Sequence, residues 1–407
     1  MNSSTRRATR ALCIVLVLCG RAAVLAAQDK EPTTRTEAIE QEKSKKSTEL
    51  KPYEPNKVEE WIDRAEGLML SGRLHWHPFF QNAYSGGGFT LGAGYMRHLS
   101  PYNFVDLRGS ITFSGYKRIE AEFIAPRLFN RRGRLSAIGG WREATQVGFF
   151  GLGTGPTSKD DRANYSFTQP YAGATLDFWP TRRLVMLQGG VDVSQWDQGP
   201  GSGSAPSVEE VYTPGTLPGL GASPTYVHSH GTLALDSRAS PGYARRGSYL
   251  GVTVHDFSDT DSQFGFSQVD YEGIQHVPVW REAWVLSLRA RVQTTFTKSD
   301  QEIPFFMLPS VGGGSSLRGF NSWRFRDRNS LLLQAEWRVM VNRFFETALF
   351  YDAGEVTART GDLDFTGLKD DYGIGIRFHG LLATPLRIDF AKSNEGLHIV
   401  FAASAVF

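Results

Sequence analysis

The chain has 407 residues and lacks two features that mark common protein classes: cysteine beyond its N-terminus and a long apolar run. Its two cysteines, Cys13 and Cys19, lie close to the start, which excludes a disulfide framework or a cysteine-ligated metal in the remainder. No apolar run of about 18 residues follows the N-terminus, which excludes a protein that spans a membrane with helices. The formal net charge is +2, too small to indicate a nucleic-acid partner.

The N-terminus has the pattern of a secretory signal. Three arginines precede an apolar stretch at 11–18, and small residues follow at 24–27. We predict a signal peptide over residues 1–27; its removal takes away both cysteines and four arginines, and changes the net charge from +2 to −2. Residues 28–70 are rich in charge and poor in apolar side chains, which predicts a disordered or short-helical periplasmic segment.

Residues 71–407 alternate between apolar and polar side chains, as β-strands with two different faces do. Leu286 and Leu288, for example, alternate with Ser287 and Arg289. A soluble β-sandwich would also alternate, but here the polar face carries full charges and the connections alternate between short and long. We therefore predict an all-β fold, a 16-stranded antiparallel transmembrane β-barrel. Short connections are predicted at 100–103, 180–183, 277–281, 342–345 and 380–385, and long ones at 151–164, 197–224, 298–329 and 355–369.

One long connection contains a glycine-rich motif, Leu308-Pro-Ser-Val-Gly-Gly-Gly-Ser-Ser-Leu-Arg-Gly-Phe320. This motif resembles the signature of the sixth extracellular loop in the BamA/TamA superfamily, also known as the bacterial surface antigen family. The resemblance implies an outer-membrane barrel of a Gram-negative-type bacterium, with the sixth loop folded inward. Its candidate residues are Gly312, Gly313, Gly314, Leu317, Arg318, Gly319 and Phe320. Further matches follow in the family's order at Phe149–Gly153, Asp236–Arg238, Glu336–Arg338 and Phe350–Gly354.

Arg318 is the charged residue of the loop motif, and a glycine-rich loop can bend enough to turn it inward. Within the motif of the predicted thirteenth strand, Phe350, Asp352 and Gly354 share one face of the strand. We predict that Arg318 pairs with Asp352, or secondarily with Glu336, because an arginine can bind a carboxylate through two hydrogen bonds. The alternative is that Arg318 only folds the loop or lies in solvent. Arg338 is expected to face the lumen with the two carboxylates.

The alternation at the end of the chain predicts a last strand that closes the barrel. Leu397, Ile399, Phe401, Ala403, Ala405 and Phe407 would occupy one face of it. A terminal phenylalanine at the end of such a strand resembles the C-terminal targeting signal of outer-membrane proteins, so Phe401 and Phe407 are its candidate residues. The alternative is a closing strand that ends in phenylalanine by chance.

The remaining sequence patterns do not indicate a catalytic or ligand-binding motif. The Gly312–Ser316 run lacks the Gly-Lys-Ser/Thr ending of a phosphate loop, and the chain has no G-x-S-x-G motif of a hydrolase. Six residues could face the lumen together: His228, His230, His255, His276, Asp236 and Asp270. We interpret them as ordinary solvated side chains of the lumen rather than as a metal or acid–base site. We therefore expect no metal, no cofactor and no enzymatic activity.

The resemblance implies a role in inserting or translocating proteins or lipids at the outer membrane. In the family, POTRA domains usually precede the barrel; here too few residues precede the first predicted strand for one, which puts substrate delivery in doubt. Glycines at Ser85–Phe89 and small residues in the last strand would weaken a seam between the first and last strands; the alternative is that the glycines only accommodate curvature. The alternatives are a passive diffusion channel, and a surface antigen or adhesin that binds through residues 197–224. Expected partners are outer-membrane lipids, nascent outer-membrane proteins or lipoproteins, and an unidentified periplasmic protein, but no nucleic acid.

Overall fold

The computed structural model describes residues 39, 43, 75–155, 157–181, 184–342, 344–380 and 384–407. The chain divides into two units, 1–67 and 68–407, and every element named below belongs to the second unit. The predicted signal peptide lies outside the described residues, as does nearly all of the predicted periplasmic segment. In the part of the chain that is described, no helix is long and apolar enough to cross a membrane.

Strands make up most of the second unit. In chain order they are β1 Trp76–Pro78, β2 Thr90–His98, β3 Phe104–Thr112, β4 Lys117–Leu128, β5 Gly133–Phe149, β6 Ala163–Phe178, β7 Val185–Gln195, β8 Asp197–Pro200, β9 Thr225–Asp236, β10 Gly247–Asp259, β11 Phe266–Trp280, β12 Trp284–Thr297, β13 Ser310–Val311, β14 Phe325–Arg326, β15 Asn329–Met340, β16 Phe345–Thr357, β17 Lys369–Phe378, β18 Leu386–Ser393 and β19 Gly396–Ala402. Among the described residues of this unit, the helical elements are α1 Val208–Val211 and 3-10 turns at Pro241–Tyr243, Phe305–Met307 and Thr360–Asp362.

Seventeen strands form one antiparallel sheet, and β13 and β14 form a separate hairpin. Neighbours in sequence pair with each other, with three exceptions: β6 also pairs with β8, β7 pairs with β9, and β12 pairs with β15. The short β8 continues β7 beyond Trp196 and pairs with β6, so these two strands occupy one position in the sheet. The all-β antiparallel prediction is confirmed, and the strand number is close to the predicted sixteen.

The sheet has an apolar face and a polar face, because side chains alternate along each strand. On β16, Leu349 and Tyr351 are exposed, whereas Phe350 and Asp352 are buried. The apolar face includes the exposed residues Leu107, Ile119, Val191, Leu233, Val254, Leu349, Ile374, Phe390 and Ile399. The polar face includes Arg108, Glu120, Gln188, His228, Glu336, Asp352, Arg377 and Asp389.

The connections follow the predicted alternation only in part. At one end of the strands most turns are short, as at 99–103 and 281–283, but the connection 237–246 at this end is long. β11 extends through Trp280 rather than ending before Val277. At the other end the connections 150–162, 201–224 and 298–328 are long, but 113–116 and 394–395 are tight turns. The long connections pack into an aromatic cluster that includes Phe149, Tyr165, Phe167, Trp196, Tyr226, Phe266, Phe305 and Phe306.

The two ends of the sheet are β1 and β19. β1 pairs with β2 over three residues and β19 pairs with β18, and no backbone ladder joins β1 to β19 within the described residues. The prediction that the last strand continues to Phe407 is wrong: β19 ends at Ala402, which pairs with Arg387 near the start of β18. Just before β18 stands Pro385, which has no backbone N–H to extend the ladder. Phe407 instead stacks against His276, with ring centroids 6.1 Å apart.

Candidate functional site

The 298–328 segment, which connects β12 to β15, folds into a hairpin whose tip carries the glycine-rich motif. β13 pairs with β14 at its base. Gly312 and Gly313 adopt φ angles of 122° and 97°, a region that only glycine enters without strain. The Gly312 N–H donates to Ser316 Oγ at 2.8 Å, and the Gly313 N–H donates to the Leu317 carbonyl at 3.0 Å. This turn directs Arg318 toward β15 and β16.

Arg318 is fully buried and binds the polar face of the sheet. Its Nε and Nη2 donate to the two carboxylate oxygens of Asp352 at 2.6 and 2.8 Å, which is a bidentate pair. Its Nη1 donates to Glu336 at 2.6 Å. The guanidinium lies over the ring of Phe350, 3.5 Å from the centroid. The pairing predicted from the sequence is therefore present, with both carboxylates on the one arginine.

The charge network extends to residues that sequence reasoning did not single out. Arg377 of β17 donates to Glu336 at 2.5 Å and to Asp389 of β18 at 3.1 Å. Arg387 lies 3.3 Å from Asp389. These three residues could be found from alternation, but only the register of β17 and β18 brings them beside Arg318. Asp352, Glu336 and Asp389 each contact a guanidinium, which anchors the 298–328 segment. Asp371 of β17, buried directly opposite Asp352, has no such partner among the described residues.

Burial alone would lower the pKa of the Arg318 guanidinium. The neighbouring carboxylates of Asp352 and Glu336 outweigh that effect and hold this pKa above its ordinary value. Arg318 therefore stays charged at any pH at which the protein is folded, and a buried charge of this kind is stable only while its partners remain.

Two glycines of the loop motif, Gly319 and Gly314, allow close approach of the hairpin to the sheet, and Gly354 allows close approach of β16 to β15. A Cβ on Gly319 would lie 2.6 Å from Asp371 Cβ, and the Gly319 carbonyl accepts a hydrogen bond from Ser393 at 2.6 Å. A Cβ on Gly314 would lie 2.5 Å from Val400. At Gly354 of β16, a Cβ would lie 2.7 Å from a backbone oxygen of β15. Leu317 and Phe320 are buried in a small apolar cluster with Val311, Phe325, Leu332 and Val356.

Arg338 faces the polar side as predicted, but it belongs to a second network. It donates to Glu346 at 2.7 Å and to the Ala244 carbonyl at 2.7 Å. Arg245 donates to the same carboxylate at 2.6 Å, and Tyr243 donates at 3.1 Å. Among the described residues Arg338 forms no hydrogen bond or ion pair with Asp352 or Glu336, because its position on β15 is two residues further from the hairpin than Glu336. The 237–246 connection, not the 298–328 segment, covers it.

The remaining motif matches lie around these networks. The Gly153 N–H donates to the Arg326 carbonyl at 2.9 Å, so the Phe149–Gly153 element joins the base of the hairpin. Asp236 and Arg238 form a bidentate pair at 3.0 Å in the turn after β9. Phe401 is exposed on the apolar face of β19.

The hairpin also contacts both ends of the sheet. The Trp323 indole N–H donates to the Ser85 carbonyl at 2.8 Å, and its ring stacks on Tyr84 at 4.5 Å, both in the connection between β1 and β2. Arg324 donates to Glu395 at 2.8 Å, in the turn between β18 and β19. Side chains of one hairpin thus bridge strands that no backbone ladder joins among the described residues.

Comparisons with known proteins agree with this geometry. The family model of the Omp85 superfamily domain matches residues 66–397, more than half of the chain. A crystal structure of BamA from Haemophilus ducreyi lacking POTRA domains 1-3 is similar, with a TM-score of 0.59 and 15% identity over 81% of this chain and 68% of that one. CdiB from Escherichia coli gives a TM-score of 0.52 and 12% identity over 80% of this chain and 61% of that one. At these identities the likeness shows the fold alone. None of the curated proteins compared matches the chain.

Proposed function

Because this chain belongs to the Omp85 superfamily, we propose that it is an outer-membrane β-barrel that assists the insertion or translocation of proteins or lipids, without enzymatic activity. The observation that carries the proposal is the buried Arg318, which fastens the 298–328 hairpin to the polar face through Asp352 and Glu336. Nascent outer-membrane proteins or lipoproteins are the proposed substrates, and a periplasmic partner is proposed to deliver them.

The proposed barrel closes the sheet by bringing β1 next to β19. The apolar face then contacts lipid, and the polar face lines a lumen into which the 298–328 segment folds as the sixth extracellular loop. Counting β7 and β8 as one strand makes the sheet sixteen strands wide, an even number as in bacterial barrels of this type. Exposed valine, leucine, isoleucine and aromatic side chains on nearly every strand support the lipid contact.

The two alternatives from the sequence fit these observations less well. In a passive channel the lumen should be open, but the hairpin and the aromatic cluster of Phe149, Trp196 and Phe305 would occupy it. For an adhesin, the 197–224 connection should be free to bind, yet Val208 and Leu217 are buried in that same cluster. Single-channel recordings test the first alternative: a large, steady conductance of the wild-type protein would favour the channel.

The seam between β1 and β19 is the proposed route into the membrane. It lacks a backbone ladder in the described residues, and β1 is only three residues long. On the β19 side, the hairpin is held by a buried charge network. On the β1 side it is held by one indole hydrogen bond and one aromatic stack, each worth about 1 kcal/mol. The β1 side should therefore separate first when the seam opens.

A disulfide between Gly86→Cys and Ser322→Cys tests this route. A Cβ on Gly86 would lie 3.3 Å from Ser322 Cβ, close to the range for a disulfide, and the chain has no cysteine after Cys19 to interfere. We expect the oxidised double variant to lose the ability to accelerate insertion of a model barrel protein into liposomes, and reductant to restore it. The single-cysteine variants serve as controls, and Gly86→Cys alone measures the effect of placing a side chain at the φ of 96° that Gly86 adopts. Full activity of the oxidised protein would contradict the proposed opening.

A further inference from the structure

A cluster of histidines lies on the polar face, away from the Arg318 network. It comprises His228 and His230 on β9, Asp192 on β7 and His255 on β10. The register explains the cluster: Asp192 is directly opposite His228, and His255 is directly opposite His230. Because residues two apart on a strand share a face, all four side chains point to the same side of three adjacent strands. From the sequence alone, we interpreted these histidines as ordinary solvated side chains of the lumen.

From this cluster we propose a binding site for a divalent transition-metal cation, with Zn²⁺ as its probe and with Asp192, His228 and His230 as ligands. One ligand atom from each of the three residues lies within 4.8 Å of the others. With bonds of about 2.0–2.1 Å, the cation would replace the proton between His228 Nδ1 and Asp192, and small side-chain rotations would bring His230 into the same coordination shell. Two imidazoles and one carboxylate form a donor set that Zn²⁺ uses, whereas Ca²⁺ and Mg²⁺ prefer oxygen ligands. The site goes beyond the proposed function and does not depend on it.

The hydrogen bonds and ion pairs of Asp192 and His230 leave both side chains able to bind a cation. Asp192 accepts a hydrogen bond from His228 Nδ1 at 2.7 Å and has no arginine or lysine partner in the described residues. Asp270, which lines the neighbouring cavity, differs in this respect because it binds Arg291 at 2.7 Å. His230 Nδ1 is buried and has no hydrogen-bond partner among the described atoms. The cluster therefore holds one uncompensated carboxylate and one imidazole nitrogen without a partner.

Neighbouring residues orient the ligands. The second ring nitrogen of His228, Nε2, lies 3.0 Å from His255 Nδ1, the outer contact that a metal-binding histidine usually makes. Phe257 stacks on His228 at 4.1 Å. Gly190 provides the space for His230, because a Cβ there would lie 2.3 Å from the imidazole Cε1.

The fourth coordination position is proposed to face a cavity. This cavity has a volume of about 310 Å³ and is lined by the three histidines together with Thr232, Tyr249 and Glu272. Three protein ligands and one open position are typical of a site that exchanges water or a small ligand, and not of a closed structural zinc site.

Zinc titration of the purified full-length protein in detergent, carrying a tag without histidine, tests the site. We expect one Zn²⁺ per chain by calorimetry, and a visible Co²⁺ spectrum of low-symmetry nitrogen and oxygen coordination. His230→Ala should weaken Zn²⁺ affinity at least 100-fold. His255→Ala should weaken it 10- to 100-fold, as loss of an outer-shell partner does. Gly190→Ala keeps every ligand but displaces the His230 ring, so we expect about a tenfold loss.

The control is His77→Ala. His77 pairs with Asp106 at 2.8 Å on the same sheet but belongs to no group of three converging ligand atoms in the described residues, so its removal should leave Zn²⁺ binding unchanged. Circular dichroism and the shift of the unheated band in gel electrophoresis report whether each variant folds. If the wild type shows no saturable binding of one Zn²⁺, or if folded Gly190→Ala and His230→Ala both bind as the wild type does, the proposal is overturned.

Discussion

At the scale of the residue, the protein concentrates its charge pairs where the 298–328 segment meets the sheet. Arg318 is fully buried, and its guanidinium satisfies Asp352 through two bonds and Glu336 through one. A buried ion pair adds little net stability, since desolvation offsets the attraction. Its geometry, however, permits one position of the hairpin, because a displaced arginine would leave carboxylates buried without a partner.

Arg318→Ala tests that dependence. We expect the free energy of unfolding to fall by about 3–5 kcal/mol, because Asp352 and Glu336 lose their shared cation while they remain buried. Arg318→Lys should recover only part of the loss, because an ammonium cannot form the bidentate pair. Denaturant unfolding in detergent measures the change. The control is Arg246→Ala, whose side chain is 70% exposed beside Glu282 and should change stability by about 0–1 kcal/mol. Equal effects of the two substitutions would contradict the anchoring role.

At the scale of the element, β15 and β16 carry two separate networks on one face. Glu336 of β15 and Asp352 of β16 hold the hairpin, while Arg338 of β15 and Glu346 of β16 hold the 237–246 connection. The antiparallel register explains the division. It aligns Arg338 with Ala348 and Glu336 with Phe350. Along the polar face, Glu336 therefore lies toward the end of the strands that carries the hairpin, and Arg338 lies toward the end that carries the 237–246 connection.

Glu346→Ala tests the second network by itself. We expect a loss of about 3–5 kcal/mol, because Arg338 and Arg245 would share a buried site without an anion. Glu282→Ala, at the exposed partner of Arg246, is the matched control and should change stability by less than about 1 kcal/mol. Thermal unfolding followed by circular dichroism distinguishes them. If Glu346→Ala also increases the protease sensitivity of the Arg318 hairpin, the two networks are coupled rather than independent.

At the scale of the whole sheet, the polar and apolar faces are continuous over every strand. Leu107, Val191, Leu349 and Ile374 are exposed although they are apolar, and they lie on different strands of the same face. A water-soluble protein rarely exposes so large a contiguous apolar surface. Contact of this face with lipid would remove these apolar side chains from water, which agrees with the proposed location in the outer membrane.

Val191→Arg tests the lipid contact. Val191 is 54% exposed on the apolar face of β7, and an arginine there should cost about 2–4 kcal/mol in a bilayer. Gln188→Arg is the control, because Gln188 faces the polar side and donates to Asp177 at 2.7 Å, where an arginine can pair with the carboxylate. Folding yield into liposomes measures both variants. Equal yields would mean that the apolar face does not contact lipid.

Much of the fold could be predicted from local pattern. The alternation predicted antiparallel strands, and the motif order predicted the family and the pairing of Arg318 with Asp352. The predicted strand ending at Phe407 was wrong, because the end of β19 depends on where β18 begins and on Pro385 before it. The predicted alternation of connection lengths was only partly correct, because 113–116 and 394–395 are tight turns at the end that also carries the long connections.

The sequence by itself determined which residues face which way, since a two-residue period is a property of a single strand. It also determined that the 298–328 segment can bend, because only glycine enters the φ region found at Gly312 and Gly313. Only the tertiary structure decided which inward residues meet. Arg377 and Asp389 join Arg318, Arg338 joins Glu346, and Asp192 joins His228 and His230, because register between strands brings together residues that are distant in sequence. No pattern within one strand contains that information.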